Sequence, residues 1–190
     1  MIVDVIAITD LSYCFYNCKN LTSLTLPDGF GQNATTLYQC FANCSSLTSL
    51  TLPTGFGQNA TNINRCFYYN DKLASLTIHD GFGQNATDFT YCFYMLRGLT
   101  TLTLPAGCGS NATNLDTCFS YCSGLTTLHL PDGFGQNVTK TTRCFYNCTS
   151  LTTITGNPNF KVSFDLSRST NLTHDSIMVI INGLQTVTTT

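Results

Sequence analysis

A period of 26 residues constrains this chain more than anything else in it. The pair Cys-Phe opens a copy at Cys14, Cys40, Cys66, Cys92, Cys118 and Cys144, and each copy repeats nearly the same text as Cys40 to Arg65. A period of roughly 20–50 residues specifies a solenoid, because one such unit cannot bury its apolar face alone and must stack on its neighbours. The six stretches are numbered below as copies 1 to 6.

Each copy reads in three parts. In the first, Ala34 to Leu47, apolar residues fall at 34, 37, 40, 41, 44 and 47, spacings of three and four that predict a helical or 3₁₀ turn. In the second, Leu50 and Leu52 alternate with Ser49 and Thr51, the period of two that a strand requires. In the third, Pro53 fixes φ, Gly55 and Gly57 reverse the chain, and Phe56 plugs the space beneath. The expected architecture is an α/β repeat solenoid of the leucine-rich-repeat type. It has six right-handed 26-residue turns, a parallel β-sheet on one side and short helical turns on the other.

The unit Leu-x-x-Leu-x-Leu-Pro, followed by Cys-Phe-x-x-Cys-x-x-Leu, resembles the BspA-like leucine-rich repeat, with Cys where that family usually has Ala. The resemblance runs from about residue 8 to 156, and Gly-Phe-Gly-Gln-Asn is an addition to the family's shorter unit. It implies a bacterial or phage-associated surface protein used in adhesion and partner binding, at the cell surface or outside the cell. It supplies no catalytic residues.

The ends depart from the period. Residues 1–10 carry Ile2, Val3, Val5, Ile6 and Ile8, and read as a strand capping the open first turn. After Thr155 the pattern fails, and residues 157–190 read as a C-terminal cap. Phe160 to Leu166 is expected to form an irregular strand. A helix follows over about 174–183, with Thr173 as N-cap and Asn182-Gly183 as C-cap. Residues 185–190 read as a frayed tail.

Composition narrows the function. The chain has 190 residues, 43% of them hydrophobic, which suffices for one continuous core. Only 9% are charged, the ten acids are all Asp, and the net charge is −2. Eight scattered Lys and Arg form no basic stripe, so nucleic acid and anionic membrane are not expected partners. No apolar run approaches the ~20 residues of a membrane span, and Met1 to Ile8 lacks the basic start of a signal peptide. The chain also reads as compatible with a piece cut from a longer exported protein.

Ten of the eleven cysteines fall in two columns, the six Cys-Phe positions and Cys18, Cys44, Cys122 and Cys148. Asn70 and Leu96 complete the second column, and Cys108 stands where other copies have Phe. Replacement by Leu and Phe points to packing. Stacked neighbours about 5 Å apart also satisfy disulfide geometry, so both readings stand. Three histidines in three different columns offer no metal-ligand spacing. A loop copied around the coil does not resemble a single catalytic loop, so neither an enzyme nor a cofactor is expected. Asn33-Ala-Thr and its copies match the glycosylation sequon but read more simply as an N-cap or an amide ladder.

What remains is surface, on the columns where the copies differ. The strand side offers Ser49, Thr51, Ser75, Thr77, Thr101, Thr103, Thr127 and His129, a hydroxyl ladder. The other side offers Arg65, Tyr68, Tyr91 and Tyr94, residue types that anchor interfaces. The expected function is a binding or adhesion module that meets a protein or glycan through the strand face and the Tyr-rich edge. A structural spacer in a larger surface or virion protein is the alternative, and an ice-binding threonine array is a third reading.

Overall fold

The computed structural model describes residues 7–182. One short strand per copy stacks in parallel: β1 (Ser23–Leu24), β2 (Ser49–Thr51), β3 (Ser75–Thr77), β4 (Thr101–Thr103), β5 (Thr127–Leu130) and β6 (Thr153–Gly156). The register is the sequence period itself, with Leu24 opposite Leu50, Leu50 opposite Leu76, and Leu102 opposite Leu128. The alternation buries the leucines and exposes the hydroxyls. The expected single sheet is in fact two, β1-β2-β3 and β4-β5-β6. Among the described residues no backbone hydrogen bond joins 74–78 to 100–104. The gap falls beside the copy that departs most from the others, with Asn70 for Cys, Ala74 for Thr, and Ile78-His79 for Leu-Pro.

The opposite side is continuous. Tyr13, Phe15 and Asn17 donate backbone N–H bonds to the carbonyls of Tyr38, Cys40 and Ala42 at 2.8–2.9 Å, and the same offset recurs as far as Tyr121 to Tyr146 at 2.8 Å. A bridge column from Asp10 through Thr36, Asn62, Asp88 and Asn114 to Lys140 runs alongside. The spacing of three and four predicted helical turns here. Bonds from N–H to the third residue back do occur, as from Cys14 to Leu11 and from Tyr16 to Tyr13. No helix propagates, however, because two residues around each Cys-Phe pair take positive φ, Tyr13 and Asn17 around Cys14 and Arg65 and Tyr69 around Cys66. Each left-handed residue sends its own N–H to the adjoining copy, as Tyr13 does to Tyr38 O and Asn17 to Ala42 O, while the N–H after it turns back to the third residue before, which trades a helix for a ladder.

The core is a stack. Phe15, Phe41, Phe67, Phe93, Phe119 and Phe145 lie ring upon ring, with centroids 5.1–5.6 Å apart and planes within 14°. Phe164 continues the column at 5.4 Å. A second column, Phe30, Phe56, Phe82 and Phe134, ends on Phe160. It is interrupted by Cys108, and there Phe89 stands where four other copies have Leu or Ile and reaches Phe134 at 6.1 Å. The small residue and the large one compensate in volume. Glycine is obligatory at Gly109 and Gly135, where φ is about +70° and a Cβ would lie 2.4 Å from the ring of the next copy's Phe.

The polar residues hold copies together. Thr48, Thr126 and Thr152 donate hydroxyls to the carbonyls 26 residues earlier, as do Thr35, Thr61, Thr113 and Thr139. Asn59, Asn85, Asn111 and Asn137 donate side-chain amides to the carbonyls 27 residues earlier, so the repeated Asn forms an amide ladder rather than a helix cap. A charge placed in such a column would meet its own copy at about 4.8 Å. Neutral donors avoid that repulsion, which accounts for the scarcity of charge.

Residues 160–166 form no strand; they carry Phe160 and Phe164 over the end of the stack. Helix α1 (His174–Ile181) follows, N-capped by Thr173. Ser176 accepts from Ile154 N–H and donates to Thr152 O, tying the helix to β6, and Ile180 enters the core. Ile2 to Ile6 of the expected N-terminal cap, the Gly183 of the expected C-cap and the tail lie outside the described residues.

Candidate binding surfaces

The first surface is the strand face. Ser49, Thr51, Ser75, Thr77, Thr101 and Thr103 are exposed, and Thr127 and His129 are half-buried. His129 Nδ1 lies 3.1 Å from Thr155 Oγ1. The structure aligns these residues in rows within each sheet but does not join the rows of β3 and β4, where a cleft of about 270 Å³ opens instead.

The second surface runs along the continuous side. All nine tyrosines lie on it: Tyr13, Tyr16 and Tyr38 in one group, and Tyr68, Tyr69, Tyr91, Tyr94, Tyr121 and Tyr146 in another. Tyr68 stacks on Tyr94 at 5.0 Å and 8°, Tyr91 meets Tyr94 edge-on at 5.3 Å, and the Arg65 guanidinium sits 4.6 Å over Tyr91. Arg65, Tyr68, Tyr91 and Tyr94, which sequence alone nominated, are therefore one cluster. Tyr13, Tyr69 and Tyr121 were missed or only half seen, because the column holding Tyr69 and Tyr121 mixes Asn, Tyr and Met and reads as a turn. Desolvation, then the neighbouring tyrosine rings, pushes the Tyr94 hydroxyl up; desolvation raises Tyr68 too, against the lowering pull of Arg65. Both stay neutral donors at physiological pH.

The frame under this edge rests on the cysteines. All eleven are free. The second column does more than pack: Cys44, Cys122 and Cys148 donate S–H to the carbonyls of Phe15, Phe93 and Phe119 at 2.9–3.0 Å. Asn70 does the same for Phe41 O at 2.9 Å, and its second N–H reaches Phe67 O at 3.1 Å, the carbonyl that Leu96 leaves unserved. Ser169 of the C-terminal cap ends the series on Phe145 O. Burial pushes the Cys148 thiol up to about 12 and Cys66, Cys92, Cys118 and Cys122 well upward, so these are unreactive thiols. Among the described residues no group of three His, Cys, Asp or Glu is placed to hold a metal ion.

One short parallel strand per copy, a ladder of turns opposite and a leucine-and-phenylalanine core define a leucine-rich-repeat solenoid. A BspA type leucine rich repeat region matches the chain in six copies, over residues 8–134 and 61–180, and the chain belongs to that family. Among solved structures it is similar to a leucine rich cell surface protein from Faecalibacterium prausnitzii A2-165. The identity is 22% and the TM-score 0.48, over 82% of this chain and 35% of that one. A leucine-rich repeat protein from Bacteroides ovatus ATCC 8483 is similar at 13% identity and a TM-score of 0.24, over 85% of this chain and 68% of that one. The chain thus spans about a third of the length of the first. No curated protein matches it. Among the described residues no helix is long and apolar enough to cross a membrane.

Proposed function

We propose that this chain is a non-enzymatic binding module of a cell-surface or extracellular protein, and that it meets a protein or glycan partner along its tyrosine edge. The observation that carries this reading is the gathering of all nine tyrosines on one edge, in and beside the columns where the copies differ. Core columns are held constant by packing, and an edge that packing leaves free has no structural need of aromatic residues. Tyr supplies large contact area with few rotatable bonds, and Arg supplies a planar fork of donors. Tyr13 and Tyr16 are 50% and 43% exposed, so the rings are available to a partner.

The strand face supports the reading less well. Its hydroxyls present no aromatic anchor, and the gap between β3 and β4 breaks the regular lattice that an ice-binding array needs. A spacer would need neither cluster.

The test is an array of glycans and extracellular proteins probed with the full chain and with Tyr68→Ala/Tyr94→Ala. The expected result is a reproducible ligand that the double variant binds at least tenfold more weakly while melting as a folded protein. Undiminished binding by the folded variant excludes the edge. A blank array with the parent chain favours the spacer.

A further inference from the structure

The tyrosine edge skips twice, in the same column. Tyr16, Tyr68, Tyr94 and Tyr146 alternate with Ala42 in copy 2 and Ser120 in copy 5, both wholly buried. A cleft lies near each skip, over Ser120 itself in copy 5 and in the neighbouring Asn17–Asn43–Tyr69 column in copy 2. In copy 5 the cleft holds about 330 Å³, at the small end of ligand sites. Its floor is Thr117, whose hydroxyl is accessible, beside the buried Ser120, whose hydroxyl donates to Tyr146 O at 3.2 Å; its walls are Tyr91 and Tyr94 on one side and Arg143 and Tyr146 on the other, and Tyr121 closes a corner. The Tyr121 ring meets Tyr94 at 5.7 Å and Tyr146 at 5.5 Å, edge-on to both. In copy 2 a cleft of about 510 Å³ lies between Tyr16 and Tyr69, over Asn43 and Ser45, with Lys19 at its rim.

Two features recur in both clefts. Aromatic rings stand around a floor of hydroxyl or amide groups, the combination that accepts a sugar ring, whose C–H faces pack on aromatics while its hydroxyls need polar partners. One cation also stands at each cleft without a carboxylate, since among the described residues the only ion pair is Arg97 with Asp71. The nearby Asp116 is engaged as acceptor for Thr142 N–H at 2.7 Å. The Arg143 guanidinium lies 5.7 Å over Tyr146, which occupies one face and leaves its in-plane N–H groups for a carboxylate. The clefts sit three copies apart, about 14 Å at ~4.8 Å per copy, so one chain molecule can enter both.

We infer that the clefts at copies 2 and 5 are paired subsites for an acidic glycan, each taking one uronate-type sugar between tyrosine walls with its carboxylate on Lys19 or Arg143. This deepens the proposal above and rests on it. Two linked weak sites give avidity that neither has alone.

The test titrates hexamers of galacturonate, glucuronate and mannuronate, each beside its uncharged methyl ester, into the full chain by calorimetry. At least one acid hexamer binds, at least tenfold more tightly than its ester. Ser120→Tyr fills the cleft with the residue that neighbouring copies carry and weakens binding at least tenfold; Thr117→Gln, which places the Gln of copy 2 in the same cleft, serves if that variant does not fold. Arg143→Gln brings the acid down toward the ester. The inference is overturned if no acid hexamer binds, if acid and ester bind alike, or if the filled cleft binds as well as the parent. Should the hexamers fail while an array ligand is still lost with Tyr68→Ala/Tyr94→Ala, the acidic-sugar assignment falls and the broader binding role stands.

Discussion

On the turn side of the coil, every step from one copy to the next is joined by at least three backbone hydrogen bonds; on the strand side, the step from β3 to β4 has none. The two sides come from one sequence period, yet they do different work. Strands of two to four residues are too short to hold a sheet by themselves. The Cys-Phe turns, with their left-handed residues, phenylalanine stack and thiol donors, hold the coil. The columns that vary between copies project from that continuous frame, which is where a rigid contact surface needs to be.

The sharpest way to break the comparison is alkali, because ten of the eleven cysteines belong to the turn side. A thiol whose folded value is raised favours folding below its unfolded value, near 8.5, and loses that contribution as pH rises toward its folded value. For Cys148, pushed up to about 12 by burial, this removes about 2 kcal/mol by pH 10. The other buried thiols shift in the same direction, so their losses add to this one against the roughly 5–15 kcal/mol that a domain has. Urea titrations should show stability level from pH 6 to 8 and cooperative unfolding between about pH 9 and 11. A stability unchanged at pH 10 contradicts the role given to the thiols.

Next in size, Leu76→Asp places a carboxylate under the strand beside the gap, at a site 8% exposed. The expected loss is more than about 5 kcal/mol, seen as a collapse of the melting transition. An unchanged melting point would show that the strand side contributes nothing even as a lid on the core.

Asn70→Leu is a smaller perturbation of the turn side. It leaves Cys44 N–H, Phe41 O and Phe67 O without partners, at a cost of about 3 kcal/mol. Asn70→Cys restores the residue of four other copies and keeps the donor to Phe41 O, so it costs about 1 kcal/mol. Equal losses in the two variants, read from denaturant midpoints, would reduce Asn70 to a packing residue.

The period made the stack, the register and the buried leucines legible, because a repeat of fixed length brings each residue over its own copy. Two things were not. The spacing of apolar residues by three and four fits a helix and fits a chain of turns equally well. Only the Asn at 17, 43 and 147, a residue type that tolerates positive φ, hinted at the second, and Tyr and Met at equivalent places hid the hint. The cysteine column read as packing because Leu96 stands in it; Asn70, the polar member, was the signal that the column donates hydrogen bonds. The tyrosine cluster was half legible. Its columns were visible, but ring contacts across neighbouring columns, and the clefts at Ser120 and between Tyr16 and Tyr69, needed the fold.

Amide hydrogen exchange tests the central claim, that the turn side is the continuous frame and the strand side is interrupted. In regular steps Leu52 and Leu104 N–H donate to Thr77 and His129 carbonyls, and Ala74 and Thr126 N–H donate to Thr48 and Thr100 carbonyls. The corresponding amides at the gap, Ile78 and Thr100, make no such bond, while Phe67, Tyr69, Phe93 and Met95 remain bonded on the turn side. The account predicts that Ile78 and Thr100 exchange at least tenfold faster than Leu52, Leu104, Ala74 and Thr126, with Phe67, Tyr69, Phe93 and Met95 among the slowest in the chain. Equal protection at Ile78 and Thr100, or rapid exchange along the turn side, would contradict it.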